Sequence, residues 1–553
     1  MPNFLVSATD INTQQIFIGN TSTAGGYEIA VPLGSYTVSI VPLNAYWSGC
    51  TNTTAINITQ SAQQESRNML LNAVVACADM EVQHEVVGIL RPCTTAVYRV
   101  TYFNAGTISA IGSYIGLTLA PELTFQSASL PAANITNLGN NRFQILLDTV
   151  AALQRGSFDV TVTTSCSLVM NQQVCTEVRV LPATYCNPPT LWDGSDVAVS
   201  GRCVGNGQAR FTMRNTGTGA MTAAQSYTII EDNVMIRGGQ VQLAVGGSDS
   251  VTIATDPTRM YRITINESPY NPRGNTQETV LVWGCNGSTQ GLHWGFINQF
   301  PLNSGADDVH KLCTPVRTSF DPNDISATPE GAGAQHFIAN NTLLSYKIRF
   351  QNTGNDTAFV VRILDKIPSN LDLTTFKIGT ASHPFTYQLK NNGTIEFLFQ
   401  RILLPDSTTN EAKSHGFVTY TIKPKPNRAE GETIDNQAFI YFDVNAPVAT
   451  NIYTHTITYN RLFVSTETLT NGNMAVTVAP NPMHETSVIS YQNLGGVGKL
   501  QLNLYNALGQ LVATQQALDN QFIIQRNGLP NGCYFYKIQD AKGNAAQGKL
   551  LME

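Results

Sequence analysis

Side chains able to do chemistry are few in this sequence, and they are scattered. The eight histidines (84, 293, 310, 336, 383, 415, 455 and 484) keep no fixed spacing to a partner. His383 and His415 sit in ASHPF and KSHGF, so a fold could draw them together. The simpler reading is that both satisfy backbone groups in loops. Asp321, Asn323 and Asp324 make a short oxygen-rich cluster of the kind Ca²⁺ accepts, but EF-hand spacing and a closing bidentate Glu are missing. Asp and Asn beside Pro also make Asx turns, and that reading is preferred, leaving Ca²⁺ as the only cofactor to consider. Trp192, Trp283 and Trp294 could line a carbohydrate platform, although tryptophans buried in sandwich cores explain them as well. No G-x-S-x-G elbow, Walker A loop, HExxH or dinucleotide glycine set is found. No catalytic set is therefore expected, and the chain reads as a non-enzyme.

Ten cysteines stand at 50, 77, 93, 166, 175, 186, 203, 285, 313 and 533, with no CxxC pair and no His at zinc spacing. Disulfides are the expected state in an exported chain. Cys166 and Cys175 flank a hairpin-sized loop and are the first expected pair; Cys203 and Cys285 are the second.

These residues must be carried by strands. Charged residues make up 13% of the 553 residues, and the net charge of −6 has no basic stripe, which excludes nucleic-acid binding. No apolar stretch is long enough to span a bilayer as a helix. The N-terminal MPNFLVSATDINTQQ lacks a basic flank and an apolar core, so it is not a signal peptide. The expectation is a mature product, or the C-terminal piece of a longer chain with Met1 added. Thr, Val, Ile, Tyr and Phe recur in short alternating runs, whereas helix-forming runs are lacking. The fold class expected is all-β: an elongated, multi-domain chain of tandem β-sandwiches of immunoglobulin-like or transthyretin-like type.

Residues 1–75 form the first expected domain. In it Tyr27, Ile29 and Val31, then Tyr36, Val38 and Ile40, alternate at the period of two of half-buried strands. With Gly26, Pro32 and Gly34, this passage resembles transthyretin-like and Cna-B-type modules of bacterial surface proteins. An internal repeat follows: VYRVTYFNAG (97–106), ARFTMRNTG (209–217) and SYKIRFQNTG (345–354). Each ends in Asn-x-Gly, at Asn104/Gly106, Asn215/Gly217 and Asn352/Gly354, read as a tight reversal at positive φ. A second strand is expected after each copy, over 117–125, 227–232 and 360–368. Spacings of about a domain length set immunoglobulin-like repeats over 76–185 and 186–310, and a surface β-sandwich over 311–460. The last resembles, through SFDPNDISATPEG, ASHPF, LPDSTTNEAKSHGFVTY and IYFDVNAPVATN, a domain found upstream of the sorting signal in large exported Bacteroidetes proteins.

A polar linker (461–473) precedes residues 474–553. There, Pro480-Asn481-Pro482, the hairpin at Tyr505 and Gly509, Gly532 and Tyr534, and Lys549 with the two leucines after it come in order. The segment resembles the type A C-terminal sorting domain of the type IX secretion system. That resemblance implies export through the outer membrane, with the secretion machinery as partner, cleavage of the segment and attachment to surface lipopolysaccharide. In such bacteria Thr149, Ser250, Thr357 and Ser407, each after Asp, are candidates for O-glycosylation. The expected function is an exported structural or adhesion protein, binding glycans or copies of itself. The alternatives are the non-catalytic part of an exported hydrolase, or a glycan-binding accessory module.

Overall fold

A computed structural model describes all residues except 1–3, 23, 50–53, 182–190, 233, 273–276, 286–291, 304–305, 318–322, 391–392, 460–468, 472–473, 480, 484–485, 494–499, 507–509, 518–520, 541–544 and 553. The protein is all-β and built of several β-sandwich domains. Among the described residues helix is confined to the 3₁₀ turns Ala132–Asn134, Trp294–Gln299 and Glu411–Lys413. The chain divides into two compact units, Met1–Tyr227 with Gly239–Ile457 and Thr228–Gly238 with Thr458–Glu553.

The first sheet has the order Ile16–Asn20, Leu5–Asp10, Gly34–Val41, Thr54–Ile58. The expected strand over 27–31 does not join a ladder. Tyr27, Ile29 and Val31 nevertheless keep their alternation and pack on Val6, Ala8, Phe17, Tyr36 and Val38. Tyr36 is buried and its hydroxyl donates to the Pro32 carbonyl at 2.9 Å, which fixes the turn before its strand.

The second sandwich pairs two sheets. One runs Leu123–Ala128, Arg155–Thr164, Thr95–Asn104, Met80–Val87; the other runs Ile135–Gly139, Arg142–Val150, Ala110–Thr118, Gln173–Leu181, Val309–Pro315. The strand expected over 117–125 is broken at Pro121, where Leu123 N–H turns back to the Ala120 carbonyl. Val309–Pro315 lies far along the chain, yet it completes this sheet with Cys175 directly opposite Cys313. The expected boundary between 310 and 311 therefore cuts a strand. The intervening sandwich, built on Val197–Gly205, Gln208–Asn215 and Ser248–Ala254 and on Val234–Val241, Gln225–Glu231, Met260–Asn266 and Gln277–Trp283, is an insertion rather than the next link in a series.

The expected Cys166–Cys175 pair is not formed. Cys166 bonds Cys93 and Cys175 bonds Cys313, while Cys203 bonds Cys285. The reason is topological: the segment after Cys166 leaves the sheet of Arg155–Thr164 and enters the opposite sheet at Gln173–Leu181. The two cysteines thus end on different layers, each beside another partner. Cys77 is also disulfide-bonded; Cys50 and Cys186 lie outside the described residues.

The fourth sandwich has Asp324–Thr328, Leu344–Gln351, His415–Pro424 and Leu371–Ala381 in one sheet. Another holds Thr386–Leu389, Thr394–Leu404, Ala358–Lys366, Ala438–Phe442 and Val448–Ala449, and Phe337–Ala339, Tyr453–Thr458 and Thr433–Asn436 form a short third. Its core takes in Leu5 and Ile18 from the first domain. Asn20 bonds the Tyr387 carbonyl (3.2 Å) and the Leu389 N–H (2.9 Å) of its edge. Lys347 bonds Glu85 (2.8 Å) and Lys377 bonds Asp307 (2.7 Å), tying it to the second sandwich. Arg99 donates to the Ser382 carbonyl (2.8 Å) across the same boundary. These domains are cross-braced rather than independent.

The three Asn-x-Gly copies do one job by a means other than positive φ, since none of the six residues has it. Asn104 is fully buried. Its Oδ1 accepts from Asp79 N–H (3.1 Å) and Gly106 N–H (3.0 Å), and its Nδ2 donates to the Ile108 and Val150 carbonyls (both 2.9 Å). Asn215 repeats this with Asp196 and Gly217 N–H and the Gly219 carbonyl. Asn352 does so with Gly354 N–H and the Asp356 and Leu404 carbonyls. One carboxamide satisfies buried backbone groups at the corner of each sandwich.

Candidate functional site

The terminal sandwich carries the densest set of singled-out residues. One sheet runs Leu469–Asn471, Met474–Ala479, Thr486–Asn493, Gln521–Gln525; the other runs Leu511–Ala517, Leu500–Tyr505, Gly532–Asp540, Ala545–Met552. Leu469–Asn471 pairs with Met474–Val476, so the last part of the expected linker belongs to this domain as its first strand; 461–468 and 472–473 lie outside the described residues.

Even-numbered Leu500, Leu502, Leu504, Tyr534, Tyr536, Ile538, Leu550 and Met552 fill the core. Strand periodicity then turns the odd-numbered residues outward. Pro480 and Gly509 lie outside the described residues. Asn481 reaches the free edge of the last strand. Its Nδ2 donates to the Lys549 carbonyl (3.0 Å) and its Oδ1 accepts from Leu551 N–H (2.8 Å). Met483 N–H donates to the Leu551 carbonyl (2.8 Å). A carboxamide has one donor side and one acceptor side, so it meets residues i and i+2 of a strand as a neighbouring peptide would. Two motifs far apart in the sequence thus form one latch over a sheet edge, and such edges otherwise invite foreign strands.

Tyr534 is buried, and its hydroxyl donates to the Pro530 carbonyl (2.9 Å). Pro530-x-Gly532-x-Tyr534 and Pro32-x-Gly34-x-Tyr36 are the same spacing with the same bond, a corner shared by the first and last domains. Cys533 is a free, half-buried thiol opposite Leu551, and burial raises its pKa, so it stays protonated near neutrality. Tyr505 and Lys549 lie in register with Phe535 between them, on the solvent side of the sheet.

Of the other expected residues, among those described, the segments of His383 and His415 come together. Ser382 and Phe417 bridge their strands (Phe417 N–H to Ser382 Oγ, 2.8 Å), which brings the ASHPF and KSHGF segments side by side. His383 Nδ1 pairs with Ser382 Oγ (2.9 Å), and His415 Nε2 lies 3.3 Å from Glu411. Burial lowers the pKa of both imidazoles. Their partners are thus side chains, not the loop backbone groups expected. The Ser382 hydroxyl is buried and also donates to the Phe417 carbonyl (3.3 Å). Asp321 lies outside the described residues. Asp324 faces Arg349 in a two-pronged ion pair (Nε to Oδ1, 2.6 Å), and Asn323 Oδ1 accepts from Gln351 N–H (3.2 Å). Asn323 and Asp324 thus brace neighbouring strands, and no cluster of three or more metal-ligating side chains occurs among the described residues. Trp283 and Trp294 meet edge to face at 6.1 Å in a core with Met260 and Cys313. Trp192 bonds the Ser195 carbonyl (3.0 Å), so the three make no platform. Thr149 and Ser250 are exposed, whereas Thr357 and Ser407 are half-buried.

A buried polar cluster in the fourth sandwich was not expected. Tyr420 donates to Asp365 (2.6 Å) and accepts from Asn436 (2.7 Å), with all three sealed from solvent. Burial raises the Asp365 pKa to about 7. The signal was available, because the alternation Val361, Ile363, Asp365 puts a carboxylate on the inward side.

Residues 321–456 match a family described as a domain of unknown function (DUF7619), and residues 477–553 match the secretion system C-terminal sorting domain. The chain thus carries a sorting domain of the type IX secretion system and is exported to the cell surface or beyond. No curated protein matches the chain. Among solved structures it is similar to the major pilin subunit BcpA of Bacillus cereus (12% identity, 60% of this chain and 91% of that one, TM-score 0.20). It is also similar to a collagen-binding domain of a Staphylococcus aureus adhesin (14%, 26% and 99%, TM-score 0.18). No helix among the described residues is long and apolar enough to cross a membrane.

Proposed function

We propose that the protein is a non-catalytic structural or adhesive component of the bacterial surface, with residues from Leu469 onward serving as its export address. The observation that carries this reading is the ordered sorting-domain match over 477–553, whose Asn481 and Lys549–Leu551 elements meet in one latch. The upstream sandwiches support a mechanical role. Their disulfides close 73, 82 and 138 residues of chain, and salt bridges tie the second and fourth domains together. The ligands in view are glycans, surface lipopolysaccharide or further copies of the chain, and Thr149, Ser250, Thr357 and Ser407 are the glycosylation sites to examine. In a type IX-competent bacterium, removing 469–553 is expected to leave the product in the periplasm. Loss of the full chain, once exported, is expected to reduce cell attachment or surface-layer integrity. Normal surface levels of the truncated chain would remove the address from this reading.

A further inference from the structure

On the outer face of the terminal domain's second sheet, Leu511, Tyr505, Phe535 and Lys549 stand in one cross-strand row over all four strands. Leu511 is 56% and Phe535 49% exposed, and neither they nor Tyr505 belong to the core cluster. Leu551 and Lys537 flank the row on the same face. The rest of its described outward positions, Gln501, Asn503, Thr514, Gln516, Cys533, Gln539 and Gln547, are uncharged. The face is thus apolar at its centre and carries two lysines and no carboxylate among its described residues. Tyr505 and Phe535 stand on the two inner strands, and aromatic side chains, with two torsions each, lose little conformational freedom on binding, which suits them to anchor a partner.

We propose that this face is the docking surface by which a protein of the outer-membrane secretion machinery reads the domain, and that the partner offers apolar pockets rimmed by carboxylates. The proposal rests on the sorting reading above and adds the place of contact. Asn481 and Tyr534 work inside the domain, on the last strand and on the turn before its neighbour, whereas Tyr505 and Phe535 point away from it. A reader outside the domain meets the latter pair first. The two lysines set the sign of the rim, since like charges there would be costly and opposite ones steer the encounter.

The test uses the full chain with an inner-membrane signal peptide in a type IX-competent bacterium, scored as the ratio of protease-accessible surface protein to periplasmic protein. Deletion of 469–553 reports on the sorting reading. Tyr505→Ser with Phe535→Ser is expected to lower the ratio about 10-fold or more, the loss of two anchor side chains. Lys537→Glu with Lys549→Glu is expected to act in the same direction. Ile523→Ser, at an exposed apolar position on the other sheet, is expected to change nothing. Unaltered melting of the purified double variant shows that it folds; where it does not, the single change Phe535→Lys at its half-exposed site replaces it. If the deletion blocks export but the face variants reach the surface like wild type, the docking face is wrong and the address stands. If the deletion is exported normally, the sorting reading itself fails. If the variants lose binding to lipopolysaccharide vesicles yet export normally, the face reads lipid and the proposal is overturned.

Discussion

Replacing Gly106, Gly217 and Gly354 by alanine, one at a time, should give unequal results although the three sit in the same repeat. A Cβ on Gly106 would overlap the Cys77 carbonyl oxygen and the Asp79 amide nitrogen; on Gly217 it would overlap the Gly194 carbonyl oxygen and the Asp196 amide nitrogen. On Gly354 the nearest atom is Asn352 Oδ1, at 3.1 Å. To relieve the overlap at Gly106 the facing segment must withdraw. That breaks Ala105 N–H to Asp79 O (2.7 Å), Thr107 N–H to Cys77 O (2.8 Å) and Asp79 N–H to Asn104 Oδ1 (3.1 Å). Three hydrogen bonds at about 1 kcal/mol each, with about 1–3 kcal/mol of overpacking, give a loss of about 4–6 kcal/mol. The Gly217 corner has matching bonds, from Thr216 to Asp196 (2.7 Å) and from Gly219 to Gly194 (2.8 Å), and should lose as much. Gly354→Ala should change stability by no more than about 1 kcal/mol, because its φ suits alanine and the carboxamide can shift. Hydrogen exchange read separately over Thr95–Asn104, Gln208–Asn215 and Leu344–Gln351 gives the local opening free energy of each sandwich, and it avoids assuming a single two-state transition. Equal losses at all three glycines would refute the close-approach account.

Asp365 has a folded pKa raised above its ordinary 3.8 to about 7, so its neutral form stabilises the fold fully below about pH 4 and that contribution is lost as pH rises through about 7. Melting from about pH 5 to about pH 8 should therefore fall less in Asp365→Asn than in wild type; identical slopes would contradict the buried neutral acid. Cys175→Ser with Cys313→Ser opens a loop of 138 residues and should cost about 5 kcal/mol by chain entropy. Chemical denaturation of the second sandwich reads it, and a loss below about 1 kcal/mol would show that this disulfide is not its closure. Asn481→Ala should expose the Lys549 carbonyl and Leu551 N–H, raising exchange at Leu551 about 10-fold or more; unchanged exchange there would contradict the latch.

How much was legible in the sequence followed from the range over which each signal acts. Period-two runs such as Tyr346, Ile348 and Phe350 announced their inward face locally, and they are buried. Tyr27, Ile29 and Val31 kept that alternation without a ladder, because burial pattern and strand pairing are separate properties. The join of Gln173–Leu181 to Val309–Pro315 left no local mark. The partner strand lies beyond a whole inserted sandwich, so a domain boundary was read through its middle. Sequence separation likewise hid Cys93 from Cys166, 73 residues away, and Cys313 from Cys175, 138 residues away. Asn-x-Gly was visible as a corner, but its cause was not. A buried carboxamide and a close approach leave the same residue types as a left-handed turn. At the terminal site the motifs could be seen, whereas the bond from Asn481 to the last strand joins residues 68 and 70 apart and left no local mark.

The central claim, that the terminal sandwich is a self-sufficient export address, is tested most directly by fusing residues 469–553 to a fluorescent carrier with an inner-membrane signal peptide. In a type IX-competent bacterium the fusion should reach the cell surface and be cleaved there. Its Asn481→Ala counterpart should arrive less efficiently, and a strain without the secretion system should hold both in the periplasm. A fusion that folds, with the latch protected from exchange, yet stays in the periplasm of the competent strain would contradict the account.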